Sequence, residues 1–311
     1  MRRAVLILLP AAVCCLALAV GLLLRAAPAP APASSALPAA GGASAAASPA
    51  PTQTPAPTPA PTPTPSPAPV GVNWPALATP FDLAGLETER LGWGQGRQVN
   101  EQNQPVGAVA YQEKYGQWGG TFLAPAAETP TVYLTFDFGY ETGYSAAILD
   151  TLKEKNAPAT FFVVGSYAEN NADTVARMLA EGHTVGSHSA RHKDMTALSD
   201  EEARAEITDF NRQFAGQFGV TPTLFRFPEG VFSARLLALA AGEGMYSVFW
   251  SYAYADWDAN DQPPVAESLE KALAAAHPDA IYLLHPMATN SAMLGDLIDG
   301  LRAAGYTLAA L

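Results

Sequence analysis

The stretch Val132-Tyr133-Leu134-Thr135-Phe136-Asp137-Phe138-Gly139-Tyr140 decides the fold. Its first five residues are apolar or β-branched and do not alternate with polar ones, the pattern of a strand buried on both faces. Asp137 stands at the end of that run, where a lone carboxylate is expensive unless it has a partner or a task. Working outward, Tyr144 to Lys155 predicts a helix, with Ile148 and Leu152 four residues apart on one face. Thr160-Phe161-Phe162-Val163-Val164 is the next strand, closed by Gly165. Thr174 to Glu181 reads as helix and Thr184-Val185-Gly186 as a short strand. Ser199-Asp200-Glu201-Glu202 opens a capped helix that runs towards Phe218. Leu224-Phe225, Ser247-Val248-Phe249-Trp250 and Ala280-Ile281-Tyr282-Leu283-Leu284 supply further strands. Strands alternating with helices predict an α/β fold with a parallel sheet and right-handed crossovers. The polar residues of interest fall just after the strands, where barrel enzymes set their sites.

The 311 residues do not read as one globule. Met1-Arg2-Arg3 is followed by an apolar stretch from Ala4 to Leu24, broken only by Pro10 and just long enough to cross a bilayer as a helix. Residues 1–26 therefore read as a transmembrane anchor or a signal peptide. The basic start directs the rest of the chain to the extracytoplasmic side, either membrane-anchored or secreted. Both cysteines, Cys14 and Cys15, lie in this stretch, so the exported part is built without disulfides. Residues 27–70 are Ala, Pro, Ser and Thr repeats such as Pro55-Ala56-Pro57-Thr58-Pro59, which block helix and ladder bonding and bury nothing large. This is read as a disordered Pro-rich spacer. Residues 71–129, with Trp93-Gly94 and Val99-Asn100, read as an N-terminal strap, and residues 130–311 as the catalytic domain. The net charge of −12, with no basic run beyond the start, disfavours a nucleic-acid partner. The chain is expected to act as a monomer.

Several residue types suit metal-assisted amide hydrolysis. His188 and His192, four apart, can point both imidazoles the same way on one helical turn or in a tight loop. His183 precedes a strand and reads as structural. Arg226 has the fork geometry that suits a carboxylate. His285 ends an apolar run, and an imidazole can exist in both proton states near neutrality.

Together the blocks Thr135-Phe136-Asp137-Phe138-Gly139-Tyr140, His188-Ser189-Ala190-Arg191-His192, Arg226-Phe227-Pro228, Asp256-Trp257 and Leu283-Leu284-His285 resemble the polysaccharide deacetylase family. Its members remove N- or O-acetyl groups from sugar polymers. The resemblance implies an irregular (β/α) barrel of about seven strands. It implies Asp137 as general base, Arg226 as the residue that orients it, and His285 as general acid paired with Asp256. His188 and His192 would bind a divalent metal, and Trp257, Tyr140 and Pro228 would meet the sugar. On this reading Asp137→Ala abolishes activity and leaves the fold intact.

Phe138 breaks the family pattern, because most members carry a metal-binding aspartate there. Zinc binding is accordingly expected to be weak or absent, with Asp137, Glu141 or Glu229 as substitute ligands and Phe138→Asp as the change that restores a third ligand. Gly139-Tyr140-Glu141, Gly143-Tyr144, Gly230-Val231-Phe232-Ser233 and Phe249-Trp250-Ser251 are similar to one subgroup, the spore-cortex deacetylases that prepare muramic δ-lactam. That subgroup also lacks the second aspartate. The implied substrate is the N-acetylmuramic acid of peptidoglycan. Glu229 stands where the subgroup often has a basic residue, and would repel a lactyl carboxylate. The alternatives are a catalytically dead homologue that only binds glycan, or a deacetylase of chitin-like oligomers or acetylated xylan.

Overall fold

The computed structural model describes residues 72–77 and 82–311. The expected membrane segment (1–26) and spacer (27–70) lie outside the described residues. Among the described residues no helix is long and apolar enough to cross a membrane.

The chain opens with β1 (Leu91–Gly92), α1 (Val106–Tyr115) and β2 (Gly120–Thr121). Then come β3 (Thr131–Phe138), α2 (Ser145–Glu154), β4 (Thr160–Val163), α3 (Gly165–Asn170), α4 (Ala172–Ala180) and β5 (Thr184–Ser187). The long helix α5 (Asp200–Phe218) leads to β6 (Leu224–Phe225), β7 (Val231–Phe232), α6 (Ala234–Gly242) and β8 (Tyr246–Val248). The last elements are α7 (Val265–Ala274), β9 (Ala280–Leu284), α8 (Ala288–Ala303) and β10 (Thr307–Ala309).

Seven strands follow one another in the order β10-β3-β4-β5-β6-β8-β2, and β9 pairs with β3. Every pairing in this sheet is parallel, as the strand-helix alternation requires. Beyond β8 the chain forms a bridge between Tyr252 and Tyr282 of β9, which curls the sheet towards closure. The α/β curled parallel sheet agrees with the expected irregular barrel.

β3 is buried along its whole length because both of its faces are covered. One face carries Val132, Leu134, Phe136 and Phe138 against α2, α4 and α8 through residues such as Ile148, Met178 and Leu297. The other carries Tyr133 into the curl of the sheet, with Phe162, Phe225, Ile281 and Leu283. The helix α5 begins on the expected capping box. Ser199 Oγ accepts from the Glu202 amide, and the Glu202 carboxylate accepts from the Ser199 amide. It ends at Gly219, whose φ of 71° is the left-handed conformation of a helix terminus.

Gly165 does not close β4 as its position suggested. It starts α3, and a Cβ there would lie 2.7 Å from the Ala190 carbonyl oxygen. A glycine is needed because the loop after β5 packs directly onto this helix start.

The N-terminal segment fills the inside of the curl. β1 pairs antiparallel with β7, and the Trp93 indole nitrogen donates to the Trp250 carbonyl at 2.9 Å. Its ring packs edge-on to Phe122 and Phe249 and against Tyr111. A tryptophan this deeply packed belongs to the core rather than to a surface strap. Trp93→Ala is therefore expected to destabilise the protein by ~3–5 kcal/mol, read from the shift in a denaturant unfolding curve. A shift below about 1 kcal/mol, the typical size for surface changes, would assign Trp93 to the periphery.

Candidate active site

Parallel strands end on one side of the sheet, and their last residues therefore converge. Asp137 is the penultimate residue of β3; His188, Arg226 and His285 directly follow β5, β6 and β9. They line, or in the case of Arg226 lie beneath, a cavity of about 790 Å³.

On one wall sits a buried ion pair. Arg226 Nη1 donates to Asp137 Oδ1 at 2.7 Å, and neither side chain is more than 7% exposed. Every arm of the guanidinium is used. Nε donates to the Val248 carbonyl at 3.0 Å, Nη2 donates to the Phe249 carbonyl at 3.1 Å, and the group lies 4.0 Å from the centroid of the Phe162 ring. Burial alone would raise the Asp137 pKa. Arg226, assisted by His188 and His285, more than offsets this and holds the carboxyl below its usual range.

His188 is set by the same arginine. Its Nδ1 lies 2.9 Å from the Arg226 carbonyl, which can only accept, so Nδ1 carries the proton. Nε2 is left as a lone pair, 3.5 Å from Asp137 Oδ2. Burial pushes the His188 pKa down to about 4, so the ring is neutral at neutral pH.

Just beyond β9, the parallel neighbour of β3, His285 Nδ1 meets Asp256 Oδ1 at 2.7 Å, and the His285 amide donates to Oδ2 at 2.9 Å. Asp256 is fully buried. Desolvation would lower the His285 pKa, but the bond to Asp256 and its charge more than offset this, and the net shift is upward. Nε2 is left as the ring nitrogen available to the cavity.

His192 comes beside His188 through a tight loop, with ring centroids 4.8 Å apart. Ser189 and His192 both have positive φ, 67° and 55°, and the His192 amide donates to Ser189 Oγ at 2.8 Å. The loop is anchored by Glu206 of α5, a buried carboxylate that accepts from the Arg191 amide at 2.7 Å and from its guanidinium at 3.2 Å.

Asp137, His188 and His192 lie together, with Asp137 Oδ2 3.5 Å from His188 Nε2 and the two rings 4.8 Å apart, but among the described residues no three His, Cys, Asp or Glu side chains already have the spacing of a metal site. The imidazoles of His188 and His192 remain, with Asp137 Oδ1 already held by Arg226. Glu141 is committed to the start of α2, where it accepts from the Gly143 amide, Ser145 Oγ and the Tyr167 hydroxyl. Glu229 lines the cavity from a turn with φ 57°.

Phe138 faces away from the two histidines. It pairs with Val163 and packs edge-on to Phe161 and Tyr167 in the helix-side core. Asp137 pairs with Phe162 and faces the other way, into the curl. Successive residues of a strand point to opposite faces, so a carboxylate at 138 on this backbone would point away from His188 and His192.

Tyr140 and Trp257, 59% and 61% exposed, flank the cavity as flat apolar surfaces of the kind on which sugars stack. Pro228 is buried behind the wall and does not line the cavity; its neighbours Glu229 and Gly230 do. His183 lies away from the cavity, accepting from the Ala159 amide at 3.1 Å. Sequence reading missed Glu206, Asn290 and Tyr254. Two of them had a signal, because Glu206 and Asn290 are polar residues on otherwise apolar helical stripes, with Ala203, Ile207 and Phe210, and with Met293, Leu294 and Leu297.

Comparison with known proteins places this geometry. The sequence model described as polysaccharide deacetylase matches residues 124–248. The peptidoglycan-N-acetylmuramic acid deacetylase PdaA of Bacillus subtilis is 36% identical over 226 residues, covering 71% of this chain and 84% of that protein. Its solved structure, that of a family 4 carbohydrate esterase, superposes with a TM-score of 0.67 at 34% identity over 72% of this chain and 96% of that one. A family 4 carbohydrate esterase from Bacillus anthracis superposes with a TM-score of 0.59 at 36% identity, over 73% and 96%.

Because Phe138 faces the helix-side core, Phe138→Asp is expected to cost ~3–5 kcal/mol and to add no zinc affinity. Thermal unfolding with and without zinc checks this. A zinc-dependent rise in Tm larger than that of the wild type would show that position 138 does reach the histidines.

Proposed function

The chain belongs to the polysaccharide deacetylase family, hydrolases of the amide C–N bond of acetyl groups, and from that premise we propose that it is an exported peptidoglycan deacetylase. The proposed substrate is N-acetylmuramic acid, the product feeds muramic δ-lactam formation, and the enzyme works as a monomer outside the cytoplasm, tethered or released through residues 1–26. The relative named peptidoglycan-N-acetylmuramic acid deacetylase supports the substrate. One observation carries the chemistry. Two titratable groups face a single cavity, and their buried partners drive their pKa values apart: Asp137, held by Arg226, downward, and His285, held by Asp256, upward.

The ionised Asp137 takes a proton from water as its oxygen attacks the acetamide carbon. Arg226 holds that carboxylate in one orientation. Protonated His285 then delivers its proton to the nitrogen as the C–N bond breaks, giving acetate and the free amine. Asp256 keeps the proton on His285 until it is needed. Tyr140 and Trp257 hold the sugar by stacking, while Pro228 supports the wall from behind.

Polysaccharide deacetylases are generally metal-dependent. In this chain His188 and His192 would hold the metal, which would polarise the acetamide carbonyl, while Asp137 and His285 carry the proton transfers; the presence of Phe138 supports the reading of weak zinc binding.

Glu229 favours a second reading of the substrate. Its carboxylate at the cavity wall disfavours a free lactyl carboxylate and suits a neutral acetylated glycan, such as a chitin-like oligomer. Mass spectrometry of muramidase-digested peptidoglycan and of chitin oligomers after incubation with the enzyme, with and without chelator, separates the two. Loss of acetyl from muramic acid supports the first reading. Deacetylation of chitin oligomers alone overturns it, and no deacetylation of either leaves a glycan-binding homologue.

Asp137→Asn should lower kcat/KM by roughly 10²–10⁴. Asp137→Ala is the poorer test, since it leaves the buried Arg226 charge unopposed at a cost of ~3–5 kcal/mol; the expectation that the fold tolerates it is not supported by this pairing. Activity within a few-fold of wild type in the asparagine variant would remove Asp137 as the base.

The pH profile should be a bell, with its acid limb below the ordinary aspartate range and its alkaline limb above the ordinary histidine value. Stability follows the same signs. The Asp137 contribution is present above the ordinary aspartate pKa and lost as pH falls through its lowered value. The His285 contribution is full below the ordinary histidine pKa and lost as pH rises through its raised one. Initial rates and unfolding curves across pH check both, and an alkaline limb below the ordinary histidine value would contradict the role of Asp256.

A further inference from the structure

Asn290 is the third residue of α8 and is only 1% exposed. A buried amide needs partners at both ends. Its Nδ2 donates to Asp256 Oδ2 at 2.5 Å and to the His285 backbone carbonyl at 2.9 Å. Its Oδ1 accepts from the Tyr254 hydroxyl at 2.5 Å. The chemistry leaves one orientation. A carboxylate and a carbonyl only accept, so the NH₂ end must face them, and the oxygen end then needs a donor, which Tyr254 supplies.

Three donors therefore converge on the buried Asp256 carboxylate: the His285 ring Nδ1–H, the His285 amide and the Asn290 side chain. The carboxylate is shielded from bulk solvent, so those three donors set its position and its pull on the shared proton. Other charged groups act on His285 from further off. Asp137 on β3 and Arg226 after β6 act with opposite signs, Tyr254 lies on the same segment as Asp256, and none of these is bonded to the ring.

We propose that Asn290, its amide oriented by the Tyr254 hydroxyl, is a positioning residue that fixes the Asp256 carboxylate against His285 Nδ1 and tempers its hold on the imidazolium proton. This rests on the reading of His285 as the general acid. Without the amide donor the carboxylate holds the shared proton more tightly, and His285 becomes a weaker acid.

The test uses the full chain and N-acetylated peptidoglycan fragments. Asn290→Leu keeps a similar volume and removes the amide. It is expected to lower kcat about ten-fold with KM within about two-fold, and to move the alkaline limb of kcat/KM upward by about half a pH unit or more. Tyr254→Phe removes one oxygen and releases the amide orientation. It should move both quantities in the same direction by less, and it carries the test if the leucine variant does not fold. A purely structural role would lower Tm and scale the whole profile without moving the limb; that result overturns the proposal. His285→Ala in parallel separates the two levels of inference. Full activity in that variant removes the general-acid reading and this proposal with it. Lost activity there, with an unmoved limb in both other variants, removes the role of Asn290 alone.

Discussion

The buried bond between Arg226 and Asp137 is the constraint on which the site depends. Removing two charges from water costs several kcal/mol per ion, and only a fully used guanidinium can offset it. Arg226 comes near that condition by giving Nε and Nη2 to the carbonyls of Val248 and Phe249, at the end of β8. The ends of β3, β6 and β8 are thus held by one side chain. Its own carbonyl also orients His188 after β5. A single residue fixes the ionisation of one group and the tautomer of another.

On the neighbouring strand the same problem is solved with opposite sign. Asp256 is a buried carboxylate whose partner is an imidazole rather than a guanidinium, and the proton it holds can be given up. One fold therefore favours the ionised form of a carboxylate and the protonated form of an imidazole within a single cavity. The difference lies in the partners alone, since both carboxylates are enclosed to a similar degree. Acid and base work together at one pH becomes possible because their surroundings are distinct.

The paired histidines show how a loop can bring two imidazoles together beside Asp137. Their loop uses two non-glycine residues at positive φ and is pinned by Glu206 and by the glycine contact to α3. The departure at Phe138 is absorbed by the sheet. Its ring sits in the helix-side core with Phe161 and Tyr167, where an aromatic residue is at home.

Much of this was legible in the sequence. The continuous apolar run of β3 has no other stable use than a strand covered on both faces, and the capping box at Ser199 and the strand-helix alternation follow from local patterns. The residues that directly follow the strands, Asp137 near the end of β3 among them, were marked because polar groups at the ends of buried runs are costly and must be used. What the sequence could not determine depended on direction and on distant partners. Which face Phe138 takes is decided by the register of β3 on β4, and that register makes it a residue of the helix-side core. Pro228 fell behind the wall and Glu229 in front of it because a positive φ turned the chain between them. Glu206, Tyr254 and Asn290 reach the site from elements far along the chain. The apolar stripes mark Glu206 and Asn290 as buried, but their hydrogen-bond partners lie up to 36 residues away, and which partner each one meets is set only by folding in three dimensions.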